Sequence, residues 1–431
     1  MVPSPGAYNI FTAINKETHR FKHRVLAHGF SDQKIRDFEP RIVHQVEIFL
    51  KRLITPPQKP LHSRDGSDGW SDDFNMTECC RHLGYDIMGE FGFGQSFNLQ
   101  TSDKNYFLID AVTATVRKAS VYVQFPELQK LHLELLFFYS GMKMRQKYLN
   151  LMSGLVSSRV AEGKDAKNDL FSNLVDAKDP ETGKGFSKDE LWAESRFLLI
   201  AGADTSSTAM TSVFFYLTAY PECQAKLAQE IRSTFKSPSE IVSGPKLANC
   251  KYLRAVLDEA MRMSPPISST LWREVIADDY AVDGKKIPKG VDIAINPYAF
   301  HHNEEIFPDS FTFNPERWIP SASNPKEAVD YQKSMFSVFS IGTRACAGRT
   351  MAYTELSISV ARTLWYLDFK TADSTLEALR GGYYGASYGR HREKEFQLKE
   401  HMTCSHDGPV IRFKVRPGAE AEAQGLLSRQ L

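Results

Sequence analysis

The chain has 431 residues, 42% of them hydrophobic, and 53 Lys and Arg side chains balance 52 Asp and Glu side chains to a net charge of +1. This length can bury a large core, and the balanced charge excludes a general attraction to nucleic acid. None of the six cysteines forms a Cys-x-x-Cys pair, which argues against a disulfide scaffold or a zinc module.

Apolar residues at helical spacing mark the first part of the chain. They run over residues 10–52, where Pro40 is expected to break the helix, and they recur over residues 76–90 and 128–162. These patterns predict a chain that begins with several helices.

A strong helix start follows at Ser187. Ser187 and Glu190 have the spacing of a capping box, and Pro221 limits the helix to residues 187–220. Its apolar part, residues 197–220, is long enough to span a membrane. However, Asp204 is followed by Thr, Ser, Ser and Thr at its centre, which favours a helix buried inside the protein.

The second half of the chain mixes helices and short strands. A helix is predicted over residues 250–263, short strands over residues 275–295, and a long helix after Cys346. Residues 396–413 predict a strand pair that turns near Asp407 and Gly408. No repeat or linker divides the chain, so we expect one domain over residues 1–431, mainly α with small β-sheets.

The segment around Cys346 carries the most specific motif. Phe339, Gly342, Arg344, Cys346 and Gly348 follow the spacing F-x-x-G-x-R-x-C-x-G. The glycines allow sharp turns, the arginine can pair with a carboxylate, and the start of a helix favours a thiolate by lowering the pKa of the thiol. A lone cysteine is more often only a small buried side chain, but five matching positions make that interpretation the weaker one.

These residues resemble the cysteine-ligand motif of the cytochrome P450 family, and Ala352 and Glu355 match its next helix. The resemblance implies a cytochrome P450 fold with haem b, with Cys346 as the axial ligand of the haem iron. Phe339 and Arg344 would then belong to the cofactor-binding residues.

A second matching pattern involves three charged residues. Glu259 and Arg262 share one helix face, and Arg317 lies in a Pro-Glu-Arg-Trp segment downstream. Pairs at this spacing are common on solvated helix faces, but the resemblance implies a structural ion network that supports the cysteine loop.

The long helix carries the sequence Ala-Gly-Ala-Asp-Thr-Ser at residues 201–206. By itself, this stretch is as well explained by a polar helix segment in which Thr205 bonds a carbonyl one turn back. The resemblance implies catalytic roles instead. Gly202 would leave room for dioxygen, Thr205 would donate a hydrogen bond to it, and Asp204 would supply protons through water.

Basic residues that could meet the haem carboxylates lie in two places. The segment that holds His19, His23 and Arg24 resembles the family's haem-contacting helix, where a tryptophan is common but absent here. Arg273 matches a further contact in the family. The alternative is that the three N-terminal residues form a solvated basic helix face.

The resemblance implies a monooxygenase that inserts one oxygen atom from dioxygen into an apolar substrate, as in fungal secondary metabolism. NADPH would supply electrons through NADPH-cytochrome P450 reductase, at or near the endoplasmic reticulum membrane. The pocket walls would come from residues 198–205, 267–272 and 400–405. The alternatives are a haem-thiolate isomerase, a peroxide-using enzyme and a non-catalytic haem-binding remnant.

Family members normally carry an anchor, a first helix and first strands before the region of His19. The chain is therefore expected to be truncated at its N-terminus relative to the family.

Overall fold

Helices dominate the computed structural model, which describes residues 6–55, 69–125, 127–130, 142–163, 166–167, 169–179, 182–372 and 376–429. The helices of the first half are α1 (Lys16–Gly29), α2 (Asp32–Ile54), α3 (Met76–Phe93), α4 (Phe107–Gln124), α5 (Glu127–Lys130), α6 (Met142–Glu162), α7 (Leu170–Val175) and α8 (Lys188–Ala219). Those of the second half are α9 (Pro221–Thr234), α10 (Pro245–Ala248), α11 (Lys251–Met263), α12 (Pro297–His301), α13 (Lys326–Met335), α14 (Arg349–Tyr366), α15 (Leu376–Leu379) and α16 (Glu420–Ser428).

The strands are short. They are β1 (Phe74–Asn75), β2 (Arg273–Glu274), β3 (Ala281–Val282), β4 (Lys285–Lys286), β5 (Asp292–Ile293), β6 (Leu367–Thr371) and β7 (Val410–Val415). They form antiparallel sheets in the orders β1-β7-β6, β2-β5 and β3-β4. The β3-β4 hairpin turns at Asp283 and Gly284, whose φ angles of 48° and 75° suit a two-residue turn. The predicted mixture of many helices and small sheets is confirmed.

Helix α8 forms the centre of the main core, and it packs against α3, α9, α11 and α14. Its start is the predicted capping box, because the Ser187 side chain accepts from the Glu190 N–H and the Glu190 side chain accepts from the Ser187 N–H. Among the described residues, none of the helices combines the length and apolar character needed to cross a membrane.

The helices α3 and α8 approach each other closely. A Cβ added to Gly84 would lie 3.0 Å from the carbonyl oxygen of Ala203. A Cβ added to Gly202 would overlap the Sδ of Met88 and lie 3.0 Å from its Cγ. Glycine at these two positions therefore brings the α3 backbone near to α8.

The predicted break at Pro40 is wrong, because the chain bends at Phe30 and Ser31 and Pro40 lies inside α2. Proline removes one backbone donor, but Pro40 is exposed, so the solvent side of α2 carries the defect. Ile35 and Ile42 are buried on either side of it, and their packing stabilises a continuous helix.

The predicted strand pair over residues 396–413 is also wrong. Between Lys399 and Ser405 there is only an isolated bridge, and β7 pairs instead with β1 and β6. The reason is burial, since Ile411 and Phe413 alternate into the core on β7. The helix predicted over residues 128–162 corresponds to α6 and part of α5, and residues 131–141 lie outside the described residues.

Candidate active site

Cys346 lies in a tight loop directly before α14. The Cys346 N–H donates to the Phe339 carbonyl oxygen at 2.8 Å and so closes the loop. Gly342 has a φ of 76° and Ser340 a φ of 57°, so two residues adopt the left-handed region. For Gly342 the sequence predicted this freedom. For Ser340 it did not, and the strain there is of the kind often found at functional sites.

Part of the Cys346 side chain is exposed, yet enough protein surrounds the sulfur that burial raises the pKa of the thiol. The Gly348 N–H and the Arg349 guanidinium lower the pKa of this thiol, but their effect is smaller than that of burial. The helix start therefore acts in the expected direction, through the Gly348 N–H, but the net shift of this pKa is upward. A thiol that coordinates a metal ion is nevertheless deprotonated by the metal itself.

Four basic side chains meet near this loop. Burial lowers the pKa of His19, and Arg344, His23 and Arg273 lower it further, so these three side chains lie within electrostatic range of His19. Burial and then Arg273 likewise lower the pKa of Arg344. The Arg344 side chain donates to the Ile14 carbonyl oxygen at 3.2 Å. In the described part of the chain, neither arginine is ion-paired with a carboxylate, so this cluster fits an anion.

The other basic residues of α1 lie elsewhere. The Arg24 side chain is exposed and is five positions after His19, so it lies on a different helix face from His19 and His23. Lys22 is buried and pairs with Glu190 at 3.0 Å and Glu194 at 3.2 Å. The sequence therefore grouped Arg24 with two histidines from which the structure separates it.

Thr205 lies on the half-buried face of α8. Phe197, Ala201 and Thr205 are spaced four residues apart, and each is half-buried, while most of the helix around them is buried. The Thr205 hydroxyl donates to the Ala201 carbonyl oxygen at 2.5 Å. This is the helix-internal bond that the sequence left open as an alternative.

Asp204 is buried and has partners that the sequence analysis missed. Its carboxylate accepts from the Tyr85 hydroxyl at 2.8 Å and from the Thr403 hydroxyl at 3.0 Å. Arg81 lies 3.6 Å away. A small cavity of about 20 Å³ adjoins these groups, and it is lined by Asp204, Arg81, Thr403 and His401 among others. A polar cavity of this size holds about one water molecule.

Gly202 also has a packing role. Its missing side chain faces Met88 of α3 and explains the close packing of two helices. The expectation that this glycine leaves room for dioxygen stays a prediction, and the packing against Met88 is a second reason for glycine at this position. Nearby, burial raises the pKa of Glu355 on α14 to about 8, although a hydrogen bond with Ser206 lowers it.

Glu259, Arg262 and Arg317 are brought together in the core. Arg262 donates two hydrogen bonds of 2.9 Å to Glu259, and Arg317 Nε lies 3.4 Å from the same carboxylate. The sequence analysis missed two further donors to the Glu259 carboxylate. They are the Trp318 indole N–H at 2.9 Å and the Asn314 N–H at 3.1 Å. Burial alone raises the pKa of Glu259, but the arginines and the Asn314 N–H outweigh it and lower this pKa.

Comparison with known proteins identifies the family. The family model described as cytochrome P450 matches residues 4–380. The chain belongs to the cytochrome P450 family. The predicted family is thus confirmed, and with it haem as the cofactor that the family implies.

Two fungal relatives cover most of this cytochrome P450. A cytochrome P450 monooxygenase of Gibberella zeae is 36% identical over 95% of this chain and 92% of its own length. The cytochrome P450 monooxygenase AKT7 of Alternaria alternata is 34% identical over 91% of this chain and 75% of its own length. The expectation of a haem-dependent monooxygenase is confirmed at the level of the family.

A solved structure supports the fold. The haem domain of cytochrome P450DA superposes with a TM-score of 0.72 and covers 96% of this chain and 81% of that chain, at 19% sequence identity. At this identity the likeness concerns the fold alone, and it confirms the predicted cytochrome P450 fold class.

Proposed function

We propose that this cytochrome P450 inserts one oxygen atom from dioxygen into an apolar substrate of fungal secondary metabolism. The observation that carries the proposal is the cysteine loop, in which Cys346 presents a partly exposed sulfur beside a cluster of basic groups. The fungal monooxygenases to which the chain is similar support the same reaction class.

The residues present fit a haem. It carries two propionate carboxylates, which suit a cluster formed by His19, His23, Arg273 and Arg344, whose two arginines form no ion pair with a carboxylate among the described residues. Cys346 would hold the iron as a thiolate, and Phe339 would pack beside it. When bound, the haem supplies the oxygen chemistry, whereas the protein supplies binding, orientation and protons.

Thr205 and Asp204 would hold and move protons. Thr205 is half-buried on one face of α8, so a rotation about its side chain can exchange the Ala201 carbonyl for another acceptor. Asp204 has a small polar cavity beside it that reaches Arg81 and His401. A proton that arrives through water in this cavity could be held on the Asp204 carboxylate.

The substrate would be apolar because few charges line the proposed pocket walls. These walls are residues 198–205, 267–272 and 400–405, and they include buried Leu198, Ser268 and Cys404. We propose that electrons arrive from NADPH through NADPH-cytochrome P450 reductase. In the family, a cytochrome P450 and its reductase usually meet at the surface of the endoplasmic reticulum membrane.

Replacement of the cysteine tests the proposal directly. Cys346→Ala should abolish the thiolate-type spectrum of the reduced, carbon-monoxide-bound protein, because no other ligand would supply the sulfur. Cys250→Ala is the matched control, since it removes a buried cysteine that lies before α11, and it should keep the spectrum. A thiolate-type spectrum in Cys346→Ala would overturn the assignment.

Replacement of the threonine tests the proton role. Thr205→Ala should keep substrate binding but yield roughly tenfold less product per NADPH, with a matching rise in hydrogen peroxide. Thr218→Ala is the control, because Thr218 is also half-buried on α8 and also bonds a carbonyl one turn back, that of Phe214 at 2.7 Å. If both variants stay fully coupled, Thr205 is an ordinary helix residue.

A further inference from the structure

The side of the cysteine loop that faces α11 and α14 is held by an aromatic pair. The ring of Phe339 packs against the ring of Tyr353 with a centroid distance of 5.2 Å. The carbonyl oxygen of Phe339 is the acceptor of the Cys346 N–H at 2.8 Å. The position of Phe339 therefore connects Tyr353 on α14 to the backbone of Cys346.

Tyr353 itself is fixed by a buried carboxylate on a different helix. Its hydroxyl donates to Asp258 of α11 at 2.6 Å. Asp258 also accepts from the Nε–H of Arg254, and this nitrogen lies 2.9 and 3.1 Å from the two carboxylate oxygens. The Arg254 guanidinium lies 3.6 Å from the centre of the Tyr353 ring, so ring and hydroxyl are both held.

The protonation states suit this arrangement. Burial, followed by the charge of Asp258, raises the pKa of Tyr353, so the phenol remains a donor at neutral pH. Arg349 adds a second cation, 5.8 Å from the Phe339 ring and 5.9 Å from the Tyr353 ring. Two cations and one carboxylate thus enclose the aromatic pair.

The loop needs such support because its backbone is unusual. Ser340 is a non-glycine residue at a φ of 57°, a backbone conformation that is unfavourable for side chains with a Cβ and persists only where the surroundings hold it. Packing of Phe339 on a fixed neighbour is one contact that opposes relaxation of the loop.

We propose that Tyr353, oriented by Asp258, is a positioning residue that holds Phe339 and thereby Cys346 in the geometry needed to bind the haem iron. This inference rests on the proposed function, since it assumes that Cys346 is the ligand. Outer-shell partners of this kind fix the orientation of a metal ligand and shield it from water.

The test compares variants of the haem-loaded protein. The measurement is the rate at which the reduced, carbon-monoxide-bound protein loses its thiolate-type spectrum, together with the midpoint reduction potential and the thermal unfolding temperature. Tyr353→Phe should lose the spectrum about tenfold faster, because the ring is no longer tied to Asp258. Asp258→Asn keeps an oxygen acceptor and should fall between this variant and the wild type.

Tyr298→Phe is the matched control. The Tyr298 hydroxyl also donates to a buried carboxylate, that of Glu395, but in a different part of the core. It should lower the unfolding temperature about as much as Tyr353→Phe while leaving the spectrum and the potential unchanged.

The outcomes separate the two proposals. A wild type without a thiolate-type spectrum would refute the proposed function. A wild type with that spectrum, and Tyr353→Phe decaying at the wild-type rate with an unchanged potential, would overturn the positioning role alone. Equal acceleration in Tyr353→Phe and Tyr298→Phe would also overturn it, because general loss of stability would then be the cause.

Discussion

Gly202 shows how a single residue can be explained by packing where chemistry was expected. The nearest atoms to its missing Cβ belong to Met88, so the residue brings α3 and α8 together. Thr205, three positions later on α8, is half-buried and so remains available to a ligand. Residues that are adjacent in one motif thus have different neighbours.

Gly202→Ala should lower the free energy of unfolding by about 1–3 kcal/mol, because the new methyl group overlaps the Met88 side chain. Gly154→Ala in the middle of α6 is the control, since no atom lies within 4 Å of its added Cβ. That variant should gain about 0.5–1 kcal/mol from helix propensity. Denaturant unfolding of both proteins measures the difference, and a stabilised Gly202→Ala would contradict the packing role.

At the scale of elements, the buried ion network joins α11 to the turn at Pro315–Trp318. Glu259 accepts from Arg262, Arg317, Trp318 and Asn314, so one carboxylate holds two segments that are more than fifty positions apart. Removal of one partner from a buried pair leaves the other charge uncompensated.

Glu259→Gln should therefore lower the free energy of unfolding by about 3–5 kcal/mol. The same substitution at Glu240 is the control, because Glu240 pairs with Lys246 at the surface, where solvent screens the pair, and its loss should lower the free energy of unfolding much less. Urea unfolding at neutral pH compares the two. Similar losses in both variants would show that the buried network contributes no more than a surface pair.

At the scale of the whole molecule, several histidines are buried in their neutral form. Burial, followed by Arg52 and Arg81, lowers the pKa of His82 to about 3, and burial followed by Arg262 lowers that of His301 to about 3. A ring nitrogen of His82 accepts a hydrogen bond from the Arg52 guanidinium, and a ring nitrogen of His301 accepts one from the Ser337 N–H. Protonation would replace that acceptor by a second donor.

Since these folded pKa values lie below the ordinary value of 6.5, their contribution to stability is complete above pH 6.5 and is lost as the pH falls toward about 3. His82→Asn removes the titrating ring but keeps an acceptor for Arg52, so its unfolding free energy should fall less steeply as the pH is lowered from 6.5 toward about 3. Equal slopes in the wild type and in His82→Asn would contradict the assignment.

The sequence by itself determined the features that depend on nearby residues. The capping box at Ser187 and the end of α11 at Met263 were predicted correctly because each depends on bonds within a few positions. The cysteine motif identified the family for the same reason, since its spacing is contained in one loop.

Only the tertiary structure decided which distant residues meet. It placed Tyr85 and Thr403 on Asp204, separated Arg24 from the basic cluster and paired β7 with β6. Such contacts join positions that can be more than a hundred residues apart, and burial selects among them, so no local pattern records them. Which side chains of α8 face the core therefore depended on how the helices pack. In a close-packed core, the neighbouring side chains exclude other orientations of the helix.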